Sequence, residues 1–190
     1  MAKKRSKAEA KKKAVRSKAK AKVKAKPKAK LKVIAVPTVG SKAPDFTLPD
    51  PDLTMKSLQD YRGKKVVLAF FPAAMSPVCT KEMCSFRDSF QELSSGGAQV
   101  VAVSIDGPFA NKQFTAMHNL NFPVLSDYTR DAIKKYGVVM QDLLHVKQYN
   151  AAKRSVFVID PNGTVKYKWV SDNPLIEPNY EEIKQVIRTI

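Results

Sequence analysis

Histidine and cysteine are scarce in this chain of 190 residues, with two of each. His118 and His145 stand apart, and neither a short Cys-x-x-Cys nor a His-x-x-x-His spacing occurs. No metal or cofactor site is therefore expected, and a thioredoxin-type dithiol is missing. Two cysteines make no disulfide framework, which fits a reducing compartment where thiols stay available for chemistry. Long apolar runs are also lacking, so no membrane span is expected. Leu31 to Val36 is interrupted by Lys32 and too short for a secretory signal core, and organelle transit peptides are usually richer in Arg and Ser. A soluble intracellular protein is expected, in the cytoplasm, at a nucleoid or in a nucleus.

Acid is almost absent from one stretch. Residues 1–33 hold 16 of the 34 basic residues and only Glu9 of the 17 acids, so they carry +15 of the net +17. From Lys18 to Lys32 a lysine recurs at every second position, which scatters charge around any helix and leaves no apolar face. Mutual repulsion then predicts a disordered arm, residues 1–37, ahead of one domain at 38–190. Non-specific contact with nucleic-acid phosphates through residues 3–32 is the expected role of the arm. A nuclear address centred on Lys3-Lys4-Arg5-Ser6-Lys7, an anionic-membrane tether and simple solubility are the alternatives.

What the domain does have is a cysteine placed for reactivity. Val66 to Phe71 is an apolar run of strand length, closed by Pro72. Ser76 then suits an N-cap and Pro77 the first helical position, which puts Cys79 at the third. Unpaired amides and the positive end of the helix dipole favour a thiolate there, whereas a free thiol, with a pKa of about 8.5, is mostly protonated at neutral pH. The plainer reading is a small apolar core residue. Cys84 follows five residues later. In an α-helix that spacing separates the two Cα atoms by roughly 8.7 Å, beyond the roughly 4.4–6.8 Å that a disulfide spans. Cys84 is thus either a resolving thiol that requires the helix to unwind or an inert helix residue.

Further strands are expected at 98–106 and 155–160, and the Asp160-Pro161-Asn162-Gly163 turn leads to a strand at 164–170 with one wet face. Helices are predicted at 77–93, 108–119, 129–136 and 178–190. This order gives an α/β class: a thioredoxin-like fold with a mixed central sheet and helices on both faces.

Four blocks carry a resemblance to a known family. Pro72-x-x-x-Ser76-x-x-Cys79 resembles the peroxiredoxin signature, and Ala43-Pro44-Asp45-Phe46 resembles that family's opening block. Phe122 to Asp127 with Tyr136-Gly137-Val138, and Arg154 to Asp160, follow in the family's order. The likeness covers residues 38–190 and implies a thiol-dependent peroxidase. Cys79 would be the peroxidatic cysteine, passing through a sulfenic acid. Arg154 would activate it and hold the peroxide, Ser76 would bond the peroxide, Pro72 would shield the thiolate, and Glu82 would orient the arginine. Arg130 is a rival cation. Ser76 alternatively only caps the helix, Arg154 is a surface ion-pair residue, and Glu82 is a solvated helix residue. No role falls to His118 or His145.

The position of Cys84 is similar to that of the resolving cysteine in the bacterioferritin-comigratory, or Q, subfamily. The chain ends at Ile190 without the C-terminal cysteine arm of typical two-cysteine relatives. The resemblance implies peroxide as substrate, thioredoxin or a similar thiol as reductant, and a monomer or dimer. Two other readings stay open: a thiol-disulfide oxidoreductase, and a nucleic-acid-associated protein whose redoxin domain is incidental.

Overall fold

A computed structural model describes residues 35–190. The basic arm, with its expected disorder and nucleic-acid contacts, falls almost wholly outside the described residues. A short antiparallel hairpin comes first, β1 (Thr47–Pro49) with β2 (Met55–Ser57), followed by β3 (Lys65–Phe70). Two helices, α1 (Pro77–Asp88) and α2 (Phe90–Ser95), lead into β4 (Ala98–Ser104). Next come α3 (Pro108–Met117), β5 (Val124–Ser126) and α4 (Asp131–Lys135). The small pair β6 (Val139–Met140) and β7 (Ala151–Ala152) precedes β8 (Ser155–Ile159), β9 (Val165–Val170) and α5 (Tyr180–Thr189).

The central sheet has the order β5-β4-β3-β8-β9. It is parallel across β5-β4-β3 and antiparallel across β3-β8-β9, the mixed arrangement expected. Alternation along β3 builds two cores. Val66, Leu68 and Phe70 face one side with Phe46, Leu48, Ile133, Tyr136 and Phe157, while Val67, Ala69 and Phe71 face α1, α2, α3 and α5. On the first side Phe70, Tyr136 and Phe157 form a ring cluster with centroids 5.0 to 6.1 Å apart. Each buried ring contributes about 1.5–3 kcal/mol through area alone, with edge contacts adding to it. The Tyr136 hydroxyl donates to the Pro44 carbonyl at 2.8 Å, which ties together two of the sequence blocks.

Several boundaries differ from expectation. The helix expected at 77–93 kinks at Ser89, whose amide is shared between the Ser85 and Arg87 carbonyls, so α1 and α2 are separate. The helix expected from 129 starts at Asp131, because Arg130 takes a left-handed conformation (φ 61°) and the buried Asp127 carboxylate receives the Asp131, Ala132 and Ile133 amides. The helix expected at 108–119 ends at Met117, and the one at 178–190 spans Tyr180–Thr189. Strand β5 and the two short pairs are too brief for periodicity to show. No helix among the described residues is long and apolar enough to cross a membrane.

Candidate active site

The local sequence after β3 folds as its caps dictate. Ser76 is the N-cap in extended conformation and Pro77 occupies the first turn. The first helical bond runs from the Thr80 amide to the Ser76 carbonyl at 2.9 Å, so the Val78 and Cys79 amides make no backbone bond among the described residues. The Ser76 side chain makes no capping bond, leaving its hydroxyl free to act elsewhere. Pro72 is buried, and Cys79 is 1% exposed.

The sheet register brings the distant arginine to this cysteine. Phe70 at the end of β3 pairs with Ser155 at the start of β8, so Arg154 stands beside the loop that leads to Cys79. Its Nη2 lies 3.3 Å from Cys79 Sγ. Arg154 is itself 1% exposed, and Nη1 donates to Glu82 Oε2 one helical turn beyond the cysteine. Nε and Nη2 both donate to the Pro174 carbonyl, at 3.1 and 2.7 Å. A planar fork is thus spent on three acceptors, which fixes its orientation.

Burial shapes the charges. Glu82 is fully buried and its Oε1 has no partner. Loss of water outweighs the attraction of Arg154, so the Glu82 carboxyl is pushed up to about 7. Burial opposes the charge on Arg154 too, but Glu82 and Cys79 more than offset it and raise the guanidinium above its ordinary value. The cation therefore persists, while Glu82 can carry a proton near neutrality. Such a site can hold negative charge on sulfur and on an oxygen brought up to it.

Cys84 lies in the same unbroken helix, partly exposed, and both thiols are free. Arg130, the rival cation, donates to the Asn150 and Tyr128 carbonyls rather than to Cys79. His118 packs its ring on Phe114, and His145 is exposed at the end of the short 3-10 segment Leu143–His145. The Pro174 carbonyl was not foreseen, since a main-chain acceptor in a loop leaves no residue signature.

The model of the AhpC/TSA family matches residues 39–168. The chain belongs to the AhpC/TSA family. It is a peroxiredoxin, and hence an enzyme, with the thioredoxin-like fold of that group. A putative peroxiredoxin, bcp, of Coxiella burnetii is 41% identical over 131 residues, 69% of this chain and 87% of that protein. Peroxiredoxin Bcp of Escherichia coli is 35% identical over 67% of this chain and 82% of its own length. Among solved structures, the peroxidoxin BcpB of Mycobacterium tuberculosis superposes with a TM-score of 0.72 at 30% identity, covering 81% of this chain and 98% of that one.

Proposed function

We propose that this peroxiredoxin reduces hydrogen peroxide and organic hydroperoxides with Cys79 as the nucleophile. The observation that carries the reading is the buried Arg154 guanidinium 3.3 Å from a buried thiol at a helix start. Sγ, as thiolate, attacks the terminal peroxide oxygen; an S–O bond forms, the O–O bond breaks, and the leaving oxygen takes a proton to become water or an alcohol. Cys79 is oxidised to a sulfenic acid. Charge shifts from sulfur to both oxygens, so donors fixed in advance act most strongly at the transition state. Arg154, the Ser76 hydroxyl and the first-turn amides are those donors; Glu82 holds the arginine and Pro72 shields the sulfur.

Return to the thiol needs two electrons from a dithiol such as thioredoxin. Cys84 is the resolving thiol in this reading: its sulfur attacks the sulfenic sulfur, an S–S bond forms and water leaves. The continuous α1 helix must first unwind in its opening turns. The test is stopped-flow peroxide consumption by the reduced protein and by Cys79→Ser. Loss of consumption to background supports the assignment, and undiminished consumption sinks it. Insulin reduction faster than peroxide turnover would move the activity to the thiol-disulfide class.

The density of lysine in residues 3–32 supports a further part of the proposal, retention near nucleic acid. Neutralising about six phosphates would give roughly a thousandfold loss of affinity between 50 and 200 mM salt. Binding that survives removal of residues 1–33 would refute that role for the arm.

A further inference from the structure

We propose that Asp106 is a positioning residue for the peroxide step, holding the Pro72–Ser76 loop over Cys79 through the Ala74 amide; this rests on the peroxidase reading above. The loop has few fastenings of its own. At its start the Phe71 amide donates to the Val103 carbonyl at 3.1 Å, and the next internal main-chain bond is the one from Thr80 to Ser76. Pro72 has no N–H to give. Of the amides from Ala73 to Ser76, only that of Ala74 finds an acceptor among the described residues, and that acceptor is Asp106 Oδ2 at 2.8 Å. Met75 follows with φ 64°, a conformation that a side chain disfavours and that the surroundings must enforce.

Asp106 is in turn fixed by a buried polar network just beyond β4. Ser104, Asn111 and Ser126 are each 0% exposed. The Asp106 amide donates to Ser104 Oγ at 3.2 Å, and that hydroxyl donates to Asn111 Oδ1 at 3.0 Å. Asn111 Nδ2 reaches the Leu125 carbonyl at 3.3 Å and the Asp106 carbonyl at 3.5 Å, and Ser126 Oγ donates to that same Asp106 carbonyl. Every member of the network has a partner, the condition under which such networks rigidify rather than destabilise. Its convergence on Asp106 gives these buried polar groups a purpose that packing alone does not. The Asp106 main chain is held still so that its carboxylate can reach and hold the loop, and the loop sets Pro72 and the Ser76 hydroxyl relative to Cys79 Sγ.

The experiment compares Asp106→Ala with Asp106→Asn in the full chain, since asparagine keeps an acceptor for the Ala74 amide without the charge. Two rates are read: peroxide oxidation of Cys79 by stopped flow, and alkylation of Cys79 by iodoacetamide, followed by peptide mass. Peroxide needs the loop donors in place, whereas alkylation needs only an accessible, ionised thiol. The alanine variant should oxidise about tenfold more slowly, the scale of one charge-assisted hydrogen bond, with alkylation slowed by less than about twofold. The asparagine variant should recover peroxide reactivity to within about threefold of wild type. Exchange of the Ala74 amide with solvent should quicken in the alanine variant and not in the asparagine one. Equal slowing of both rates, an asparagine variant as impaired as alanine, or an unchanged Ala74 exchange would overturn the proposal. A wild-type protein inert to peroxide would instead refute the proposed function, and the exchange measurement would still judge the Asp106 contact.

Discussion

The two ends of the central sheet make opposite use of charge and space. Where β3 ends and β8 begins, Cys79, Glu82 and Arg154 are at most 1% exposed. At the other end of the same two strands a cavity of about 260 Å³ opens between Lys42, Tyr61, Arg62, Lys64 and the Asp160–Gly163 turn. Its cations are exposed, and Lys42 is already bonded to the Asn162 carbonyl at 2.8 Å. That cavity is thus remote from the reactive group. A peroxide is two oxygens wide and demands fixed donors rather than volume, and a charge acts far more strongly when stripped of water than when solvated. Reactivity should follow desolvated charge and ignore the cavity.

The largest expected effect comes from removing the buried cation. Arg154→Met should slow oxidation of Cys79 by about 10²–10³-fold, the scale of one transition-state donor. It also strands Glu82 without its ion-pair partner, so stability should fall by about 3–5 kcal/mol to the extent that Glu82 stays ionised. Stopped-flow kinetics and urea unfolding measure the two separately. Next comes Cys84→Ser. Peroxide-treated wild type should lose the mass of two hydrogens through an internal disulfide, whereas the variant should retain an added oxygen, with dithiol-driven turnover at least about tenfold slower. A Cys79-linked dimer of wild type in its place would remove Cys84 from the mechanism.

The same contrast separates what was legible in the sequence from what was not. Ser76, Pro77 and Cys79 signal a helix start by local rules, and all three occupy the expected cap, first and third positions. The mixed sheet was equally visible, because its inner strands are continuous apolar runs bounded by turn residues. Arg154 was reached only through resemblance: its approach to Cys79 depends on the register of β3 with β8, which no local pattern encodes. Nor could periodicity find the kink at Ser89, since the apolar stripe of Met83, Phe86, Phe90 and Leu93 runs straight through it. The role of Asp106 was hidden for a further reason. Its partner is the Ala74 main-chain amide, and the residues that steady it are buried serines and an asparagine, types that usually mark surface or turn.

A smaller, pH-dependent effect sharpens the comparison at the buried end. With its carboxyl pushed up to about 7 from an ordinary 4.5, folded Glu82 keeps a proton between those values that the unfolded chain has released. Stability therefore falls as pH rises through that window and levels off above it. Glutamine stays neutral throughout, so Glu82→Gln should gain stability relative to wild type from about pH 4.5 to about pH 7, by at most about 3 kcal/mol. Urea unfolding at pH 5 and pH 8 tests this. Parallel behaviour of the two proteins would mean that Arg154 keeps Glu82 ionised across the range.

The smallest effects should come from exposed charges, one near the site and one at the cavity. Lys81 on α1 pairs with Glu177 at 2.6 Å, one residue before Glu82, yet its side chain is 73% exposed. Solvent screening limits such a pair to about 1 kcal/mol or less, so Lys81→Met should lower the melting temperature by no more than about 4 °C. The Arg62 side chain makes no hydrogen bond or ion pair among the described residues although it lines the cavity. Arg62→Met should leave the rate constant for Cys79 oxidation within about twofold of wild type. A loss approaching that of Arg154→Met would break the comparison, because it would couple the open end of the sheet to chemistry that the geometry confines to the buried end.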